Sequence, residues 1–450
     1  MVSRVSEDIS AQPAGDGRGF VVSRAYERYI VGLLLAVGVC SFIDRQIFSI
    51  LLESIKRDLS LSDTEMGLLG GLAFSIFYVT VGIPIAWIAD SANRRNIIAA
   101  AVGTWSVMTT LCGFSTGFLS LFVARVGVGV GEAGAAPPTQ SLIADYVPPQ
   151  RRGGVMAILG LNLAVGIFLG FLFGGWIGQY FGWRVAFYVV GVPGLILALL
   201  VRVTLREPPR GHSETLDARE KRPAVLASLK YFLRRPTFRH MPVAAALFTV
   251  AAWAQLTWMP AFFIRVHGLG SGVVGTWLGI IYGIFGAASV LLGGFLADKL
   301  AARKGDERWY PWVSGLATVI GIPIAPFVFL TAGATPALIA LCLLVLASQT
   351  WIGPVNAMIA GVAGLRRRAL ASSMFYFMIN LISYGLGPLI IGMSNDYFGP
   401  RYGNDAMRYS LLTLTVVFQA WAALHFFLAA RHVRQDLAAA RASAEAEGAS

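Results

Sequence analysis

One short signature occurs twice in this chain, and it restricts the possible folds more than any other feature. Residues 82–95 read GIPIAWIADSANRR and residues 293–304 read GGFLADKLAARK, so each copy ends an apolar segment in Ala-Asp and a basic cluster. The two aspartates, Asp90 and Asp298, are separated by nearly half of the 450 residues. This spacing predicts two copies of one structural unit, as in membrane proteins that rock one half against the other around a central site.

The composition indicates that these units lie in a membrane. Charged residues make up only 13% of the chain, whereas a soluble domain carries about 25%. Apolar segments long enough to cross about 30 Å of hydrocarbon recur, and each must be helical because lipid offers the backbone no hydrogen-bond partner. We predict an all-α membrane protein with twelve transmembrane helices in two pseudo-symmetric six-helix bundles. The predicted spans are 27–53, 65–89, 97–117, 119–144, 154–179, 183–204, 241–265, 273–299, 312–331, 336–361, 369–395 and 408–430.

The longest polar stretch, residues 205–240, separates the first six spans from the last six. It is predicted to be a cytoplasmic linker, with a short amphipathic piece near 224–235 that could lie on the membrane. The tail from residue 431 onward is alanine-rich and charged, so we expect a frayed helix or disorder there. The predicted division is an N-terminal tail over 1–26, bundles over 27–204 and 241–430, and a C-terminal tail over 431–450.

The basic residues predict the orientation. Most of the 36 lysines and arginines lie in the N-terminal tail and in every second connection after it. Because cytoplasmic loops carry the excess of such residues, we expect a multi-pass protein of the cell (inner) membrane with both termini cytoplasmic. The net charge of +12 is explained by this asymmetry and by contacts with anionic membrane lipids, and requires no nucleic-acid partner. The remaining connections hold Lys56, Arg57, Arg184, Arg265, Arg401 and Arg408.

The sequence lacks the signatures of an enzyme. It has no GxSxG motif, no pair of histidines at metal-binding spacing and no phosphate loop. Residues 127–134 read GVGVGEAG and satisfy GxGxxG, but they lie in an apolar helix with no strand before them. These glycines are better explained by close helix packing than by a dinucleotide. We therefore expect no enzymatic activity, no metal and no cofactor.

Charged residues inside the predicted spans indicate a functional site. Asp44 and Arg45 lie in the first span, and Arg125 and Glu132 lie seven residues apart, on one face of the fourth. Each costs about 2.5–3.5 kcal/mol at the bilayer centre, so such residues are rare and usually functional. Ion pairs that only fix helix packing are the alternative. That alternative is weakened because adjacent residues project about 100° apart, and one pairing cannot easily satisfy both Asp44 and Arg45.

The repeated signature resembles the cytoplasmic loop motif of the major facilitator superfamily. The segments FGWRVAF at 181–187 and ADYVPPQRRG at 144–153 also resemble that family. The first copy departs from the motif, with Ala86 in place of its glycine. The resemblance implies that the loops act as a conformational switch, in which the participating residues are Asp90, Arg94, Arg95, Asp298, Lys299 and Arg303.

Two segments narrow the resemblance further. FIDRQIFS at 42–49 and RVGVGVGEAGAAPPTQSLIADYVP at 125–148 are similar to spans 1 and 4 of the Spinster group, which includes exporters of sphingosine phosphate and lysophospholipids. Organic-anion carriers of the superfamily share the Asp-Arg pair. The resemblance implies that the acidic residues carry protons, and that the arginines bind an anionic head group or couple to the carboxylates. The proton sites would be Asp44 and Glu132, and the arginines would be Arg45 and Arg125.

The second half offers uncharged polar and aromatic candidates. Each polar residue has the simpler alternative of bridging two helices, and the aromatic residues are as compatible with a lipid-facing position as with a cavity wall. The polar candidates are Gln255, Thr257, Gln349, Asn356, Asn380, Ser383 and Tyr384, of which we predict substrate contacts for Gln255, Asn356, Asn380 and Tyr384. The aromatic candidates are Trp253, Trp258, Phe375, Tyr376 and Phe377.

These features together predict a monomeric, proton-coupled secondary active transporter that works by alternating access. Its cavity would be charged on the wall of the first bundle and apolar on the wall of the second. Such a cavity suits an amphiphilic anionic lipid, of lysophospholipid or sphingolipid-like type. A proton-linked carrier of small organic anions or drugs with the same fold is the first alternative, and a channel is the second.

Overall fold

The computed structural model describes residues 23–210, 225–364 and 367–448, without the side chains of Asp90, 225–227, Ala369 and 444–448. Each secondary-structure element in these ranges is a helix. The first half comprises α1 (Arg24–Leu59), α2 (Asp63–Gly70), α3 (Leu72–Ser91), α4 (Arg94–Cys112), α5 (Phe118–Ala133), α6 (Ala136–Tyr146), α7 (Pro149–Phe181) and α8 (Trp183–Thr204). The second half comprises α9 (Val225–Leu233), α10 (Pro236–Arg265), α11 (Ser271–Leu278), α12 (Gly286–Lys304), α13 (Trp309–Phe329), α14 (Ala334–Ser348), α15 (Ile352–Ala363), α16 (Arg368–Tyr402) and α17 (Ala406–Gly448).

The helices make twelve membrane spans, as predicted. Ten described stretches are long and apolar enough to cross a membrane. One of them, Leu370–Ser443, is two helices, because a short 3-10 turn at Gly403–Asp405 separates α16 from α17. The remaining span is α4, which carries polar residues but packs along α5 and α8 over its length.

Several spans are broken inside the membrane, so one span consists of two elements. Gly71 separates α2 from α3 with φ −116° and ψ −92°, which ends the regular hydrogen bonding of α2. The fourth span breaks between α5 and α6, and α6 restarts with proline in its first turn, where the missing N–H is tolerated. The eighth span widens into a π-helical segment at Gly279–Phe285, between α11 and α12. Such π segments recur at functional sites.

The spans form two bundles, each with its own apolar packing. In the first bundle, α1 packs on α7, α4 packs on α5 and α8, and α3 packs on α5. In the second bundle, α10 packs on α16 and α17, and α13 packs on α14 and α17. We call the face where α1 begins and α17 ends the basic face, and the face where α1 ends the opposite face.

The two bundles meet near the opposite face. α2 and α3 pack on α16, α7 packs on α11 and the π segment, and α1 packs on α10. Hydrogen bonds from α11 to α7 join residues near the opposite face, such as that from the Gly272 backbone N–H to Gln179 Oε1 at 2.8 Å. The structure is therefore closed at the opposite face.

The tail differs from our expectation of a frayed helix or disorder. α17 continues as a helix to Gly448, and the side chains of Val433, Leu437 and Ala440 are buried. The Asp436 carboxylate accepts a hydrogen bond of 2.8 Å from the Thr237 backbone N–H at the start of α10. The tail is thus packed against the second bundle. In the linker, α9 lies within the predicted amphipathic piece, while residues 211–224, like residues 1–22, lie outside the described residues.

Candidate functional site

A cavity with about 370 Å³ of empty space lies between the bundles. The first bundle contributes two buried guanidinium groups and the second contributes aromatic and hydroxyl groups, so the predicted asymmetry of the walls is present. The cavity is lined by Arg45, Gln46, Phe48, Ser49, Gly70, Phe74, Arg125, Trp253, Leu256, Thr257, Tyr384 and Pro388.

Arg45 is held in an ion pair that joins α1 to α5. Its Nε lies 2.7 Å from Glu132 Oε2, and a terminal guanidinium nitrogen lies 2.5 Å from the same oxygen. The Ser41 hydroxyl, one turn earlier on α1, also donates to this oxygen at 2.8 Å. The other carboxylate oxygen, Glu132 Oε1, is buried without a hydrogen-bond partner. Because both groups are desolvated, loss of either partner would leave a buried charge, at a cost of about 3–5 kcal/mol.

Arg125 differs from Arg45 in that no carboxylate of the described residues pairs with it. Its side chain is buried, and its Nε donates to the Leu69 carbonyl oxygen at 3.4 Å. The guanidinium lies 4.7 Å from the ring centre of Phe48 and 5.6 Å from that of Phe74. Cation–π contacts stabilise such a group by about 0.5–2 kcal/mol, which is less than burial of an unpaired charge costs. Arg125 is therefore a buried cation at the cavity wall that no carboxylate of the described residues neutralises.

Asp44 points away from the cavity, towards α4. Its Oδ2 accepts a hydrogen bond of 3.2 Å from the Thr109 hydroxyl, and its Oδ1 is buried without a hydrogen-bond partner. Asp44 and Arg45 thus project in different directions, as expected for adjacent residues of a helix. Asp44 and Glu132 therefore have different surroundings: Glu132 accepts from a cation and a hydroxyl group, whereas Asp44 accepts from one hydroxyl group.

The second bundle presents Tyr384 to the cavity, and the Tyr384 ring lies 5.4 Å from the Arg45 guanidinium. The other three predicted substrate contacts lie elsewhere. Gln255 is buried within the bundle and donates to the Thr415 hydroxyl at 2.9 Å. Asn356 donates to the Ile352 carbonyl and accepts from the Tyr376 hydroxyl at 3.0 Å. Asn380 lies one turn before Tyr384 on α16, and is not among the residues that line the cavity.

The sequence analysis missed two polar residues of the cavity wall, Gln46 and Ser49. Both are buried on α1, next to Arg45 and one turn after it. Gln46 Oε1 has no hydrogen-bond partner. For Ser49 the available signal was its position, because a polar residue four places after a charge in an apolar span shares its helix face. Gln46 directly follows Arg45, and this rule does not identify it.

The first copy of the repeated signature closes a buried ion cluster. Arg94, at the start of α4, pairs with Asp145 of α6, and its Nε lies 2.7 Å from Glu207 in the linker. The other Glu207 carboxylate oxygen accepts from the Arg95 backbone N–H at 2.9 Å. Asp90 lies in the last turn of α3, and its side chain is outside the described part of the structure.

The second copy has a simpler set of contacts. Asp298 accepts a hydrogen bond of 2.9 Å from the Tyr310 hydroxyl, on the next helix of the same bundle. The Lys299 ammonium lies 5.4 Å from the Phe295 ring centre. Arg303 is exposed and makes no ion pair with any described residue. In this conformation the contacts described for the two copies lie within one bundle or join a bundle to the linker, and none of them joins the two bundles.

Known proteins resemble the chain over most of its length. The model of the Major Facilitator Superfamily matches residues 34–388. An "MFS-type efflux pump" of Mycolicibacterium smegmatis is 32% identical over 411 residues, covering 90% of this chain and 93% of the pump. The "Hexuronate transporter" of Bacillus subtilis is 26% identical over 384 residues, covering 83% of this chain and 89% of that protein. A crystal structure of a bacterial homologue of the human lysosomal transporter Spinster, inward-facing and unoccupied, matches with a TM-score of 0.84 at 30% identity, covering 92% of this chain and 99% of the other.

Proposed function

Because the chain belongs to the Major Facilitator Superfamily, we propose that it is a proton-coupled secondary active transporter of an amphiphilic anionic lipid. The substrate class is a lysophospholipid or a sphingolipid-like molecule, and transport proceeds by alternating access. Membership of the family makes the chain a multi-pass membrane transporter and not an enzyme, as the sequence predicted. The resemblance to the Spinster homologue agrees with the similarity of spans 1 and 4 to that group.

The observation that carries the proposal is the unpaired guanidinium of Arg125 beside an apolar wall. An arginine binds phosphate or carboxylate through two parallel hydrogen bonds, and an anion at Arg125 would supply the negative partner that no described residue provides. The rings of Phe48, Phe74 and Trp253 and the side chain of Leu256 line the same cavity and could hold the start of an acyl chain. We assign the anionic head group to Arg125 rather than to Arg45, since Arg45 is already paired with Glu132.

Proton coupling is proposed to use Glu132 and Asp44. Protonation of Glu132 would remove the charge that holds Arg45 and would free a second guanidinium in the cavity. Asp44 accepts one hydrogen bond from a neutral hydroxyl group and forms no ion pair with a described residue. Protonation of either carboxylate would therefore change the stability of one conformation of the transporter relative to another.

We further propose that the basic face is cytoplasmic, because positively charged loops are retained on that side. The structure, closed at the opposite face, is then inward-facing. An epitope attached after Ser450 should be detected only after the membrane of intact cells is made permeable. Detection on intact cells would reverse the assignment.

A carrier of small organic anions is the second candidate, and one observation favours it. The hexuronate transporter is a relative over most of the chain. The two candidates differ in whether an acyl chain of the substrate contributes to the binding affinity, and this contribution is measurable.

The test compares affinities for lysophospholipids of increasing chain length with the affinity for a hexuronate. Each methylene that enters the cavity should strengthen binding by up to about 0.8 kcal/mol, roughly fourfold. Arg125→Lys keeps the charge but loses the paired geometry, so it should weaken binding by about tenfold at every chain length. Arg184→Lys is the matched control, because it makes the same substitution at an arginine that does not line the cavity. If hexuronate binds tightly and the affinity for lysophospholipids does not depend on chain length, the lipid proposal is wrong and the protein is a carrier of small organic anions.

A further inference from the structure

Near the opposite face, one arginine of the second bundle lies between two carboxylates of the first. We propose that Arg265, at the end of α10, is the positioning residue that seals this face and holds the protein in the conformation described here. The inference rests on the proposed alternating-access transport, in which this face must open and close. It concerns a site separate from the cavity.

The geometry of Arg265 joins three helices from both bundles. Its two terminal nitrogens lie 2.6 Å from Asp63 Oδ2 and 2.7 Å from Glu53 Oε2. Glu53 belongs to α1 and Asp63 is the first residue of α2, so both partners are in the first bundle. The side chains of Arg265, Glu53 and Asp63 are 11%, 7% and 3% exposed, respectively. With so little water around them, the attraction between these charges is screened much less than that between exposed charges.

A second contact crosses the same interface at the start of α2. The carboxylate of Asp396, on α16, accepts hydrogen bonds from the backbone N–H groups of Asp63 at 3.1 Å and Thr64 at 2.7 Å. It also accepts from the Thr64 hydroxyl at 2.6 Å. A carboxylate at this position satisfies the free N–H groups of a helix N-terminus. The start of α2 is therefore held by two residues of the other bundle, Arg265 and Asp396.

Close helix packing lies on both sides of this cluster. A Cβ atom at Gly392 of α16 would overlap the Asp63 carbonyl group, and a Cβ atom at Gly275 of α11 would overlap the Phe171 carbonyl group of α7. Backbone approach this close requires glycine. The ion cluster is thus bordered by two lines of tight packing, and the whole region must separate before the opposite face can open.

The first bundle keeps its own partners if Arg265 is removed. Lys56 Nζ lies 2.5 Å from Asp63 Oδ1, and Arg57 Nε lies 3.0 Å from Glu53 Oε1. Both carboxylates would therefore retain a cation within their bundle. The loss of Arg265 should remove the connection between the bundles while sparing the fold of each, and this separates a sealing role from a purely structural one.

The experiment measures hydrogen–deuterium exchange of the full-length protein in nanodiscs, without substrate. In Arg265→Ala, amides in peptides covering 56–70 and 384–398 should exchange about tenfold faster, because the charge-assisted hydrogen bonds between the bundles are lost. Arg265→Lys should show a smaller increase. Arg184→Ala is the matched control, because Arg184 pairs with Asp58 at 2.5 Å near the same face but within the first bundle.

Exposed Asp396 supplies a second variant that should fold even if Arg265→Ala does not. Asp396→Asn should accelerate exchange in the same two peptides by a smaller factor. Unchanged exchange in correctly folded Arg265→Ala and Asp396→Asn would overturn the proposal, as would equal acceleration in Arg184→Ala. The readout needs no substrate, so failure of the parent protein to transport lysolipids would count against the proposed function and leave the seal intact.

Discussion

The two bundles share a fold but contribute different chemistry to the cavity between them. The first bundle supplies both guanidinium groups, Arg45 and Arg125, whereas the second supplies rings and hydroxyl groups such as Trp253, Thr257 and Tyr384. A repeated fold therefore does not require a repeated site. Under the proposed function, this separation would let the first bundle bind both the proton and the anionic group, while the second bundle would contact the apolar part of the substrate.

A second difference between the bundles lies in the loops of the repeated signature. In each bundle, the segment that follows its last span returns to close the loop. In the first bundle the loop supplies the cation, Arg94, and the linker supplies Glu207. In the second bundle the loop supplies the carboxylate, Asp306, and the tail supplies Arg434, at 2.8 Å. The loop therefore carries the positive partner in the first bundle and the negative partner in the second. The arginines also differ in burial, since Arg94 is 1% exposed and Arg434 is 58% exposed.

The largest expected effect is on transport driven by a pH gradient. It tests whether the proton is exchanged only by carboxylates of the first bundle. Glu132→Gln and Asp44→Asn should each abolish transport driven by a pH gradient in proteoliposomes, because each removes a carboxylate that exchanges the proton. Asp405→Asn is the control, since Asp405 is an exposed carboxylate of the second bundle, 60% exposed and paired with Arg408. Thermal unfolding of each variant must be measured in parallel, because Glu132→Gln also leaves Arg45 without its anion. If both variants respond to the gradient like the parent, the second bundle or the substrate carries the proton.

The next largest effect is on the free energy of unfolding, and we compare it between the two loops of the repeated signature. Arg94→Ala should destabilise the protein by about 3–5 kcal/mol, because Asp145 and Glu207 would lose a buried cation. Arg303→Ala, the corresponding change in the second copy, should stay within about 0.5 kcal/mol, because Arg303 is exposed and unpaired among the described residues. Denaturation of both variants in the same detergent provides the measurement. Equal losses of stability in the two variants would mean that the different burial of these arginines does not determine their contribution to stability.

The role of Asp298 as a conformational switch stays a prediction. It can be tested by comparing transport with substrate binding in one variant. Asp298→Asn keeps an acceptor for the Tyr310 hydroxyl, so it should reduce transport more than substrate binding. A proportionate loss of folded protein in the membrane would instead indicate a structural role for this residue.

Much of the fold could be predicted because membrane burial makes local sequence decisive. Twelve apolar segments and short basic connections gave the number of spans, since each span must be helical in lipid. The breaks at Gly71 and at the π segment could not be predicted in this way. They depend on packing between helices distant in sequence, such as α2 and α3 against α16. The packed tail was missed for the same reason, since Asp436 contacts a helix end nearly 200 residues earlier.

Arg45 and Arg125, which the sequence singled out, both line the cavity, but the pairing of the charges was not predicted. The spacing of Arg125 and Glu132 placed them on one helix face, yet seven residues separate them by about 10 Å along the axis. Glu132 consequently pairs with Arg45 on another helix, and Arg125 is left for an anion. Gln255 shows the opposite error, since a polar residue in a span can equally face the interior of its own bundle.

The smallest expected effect concerns the pH dependence of the loop in the second bundle. Hydrogen bonds from Arg308, together with that from Arg434, hold the pKa of Asp306 well below its usual value of 3.8. A carboxylate with a lowered pKa contributes stability above its unfolded pKa, and this contribution is lost as the pH falls through the folded pKa. Asp306→Asn should therefore cost about 0.2–1 kcal/mol, because Arg434 is largely exposed.

That cost should be constant between about pH 7 and pH 5 and should shrink below about pH 4. Arg441→Ala is the control, because the Arg441–Glu307 pair at 2.9 Å joins the same tail to the same loop but is more exposed on both sides. It should change the unfolding temperature less than Asp306→Asn at neutral pH. If the cost of Asp306→Asn already declines between pH 7 and pH 5, the arginines do not hold this carboxylate. The tail would then not close the second loop as the linker closes the first.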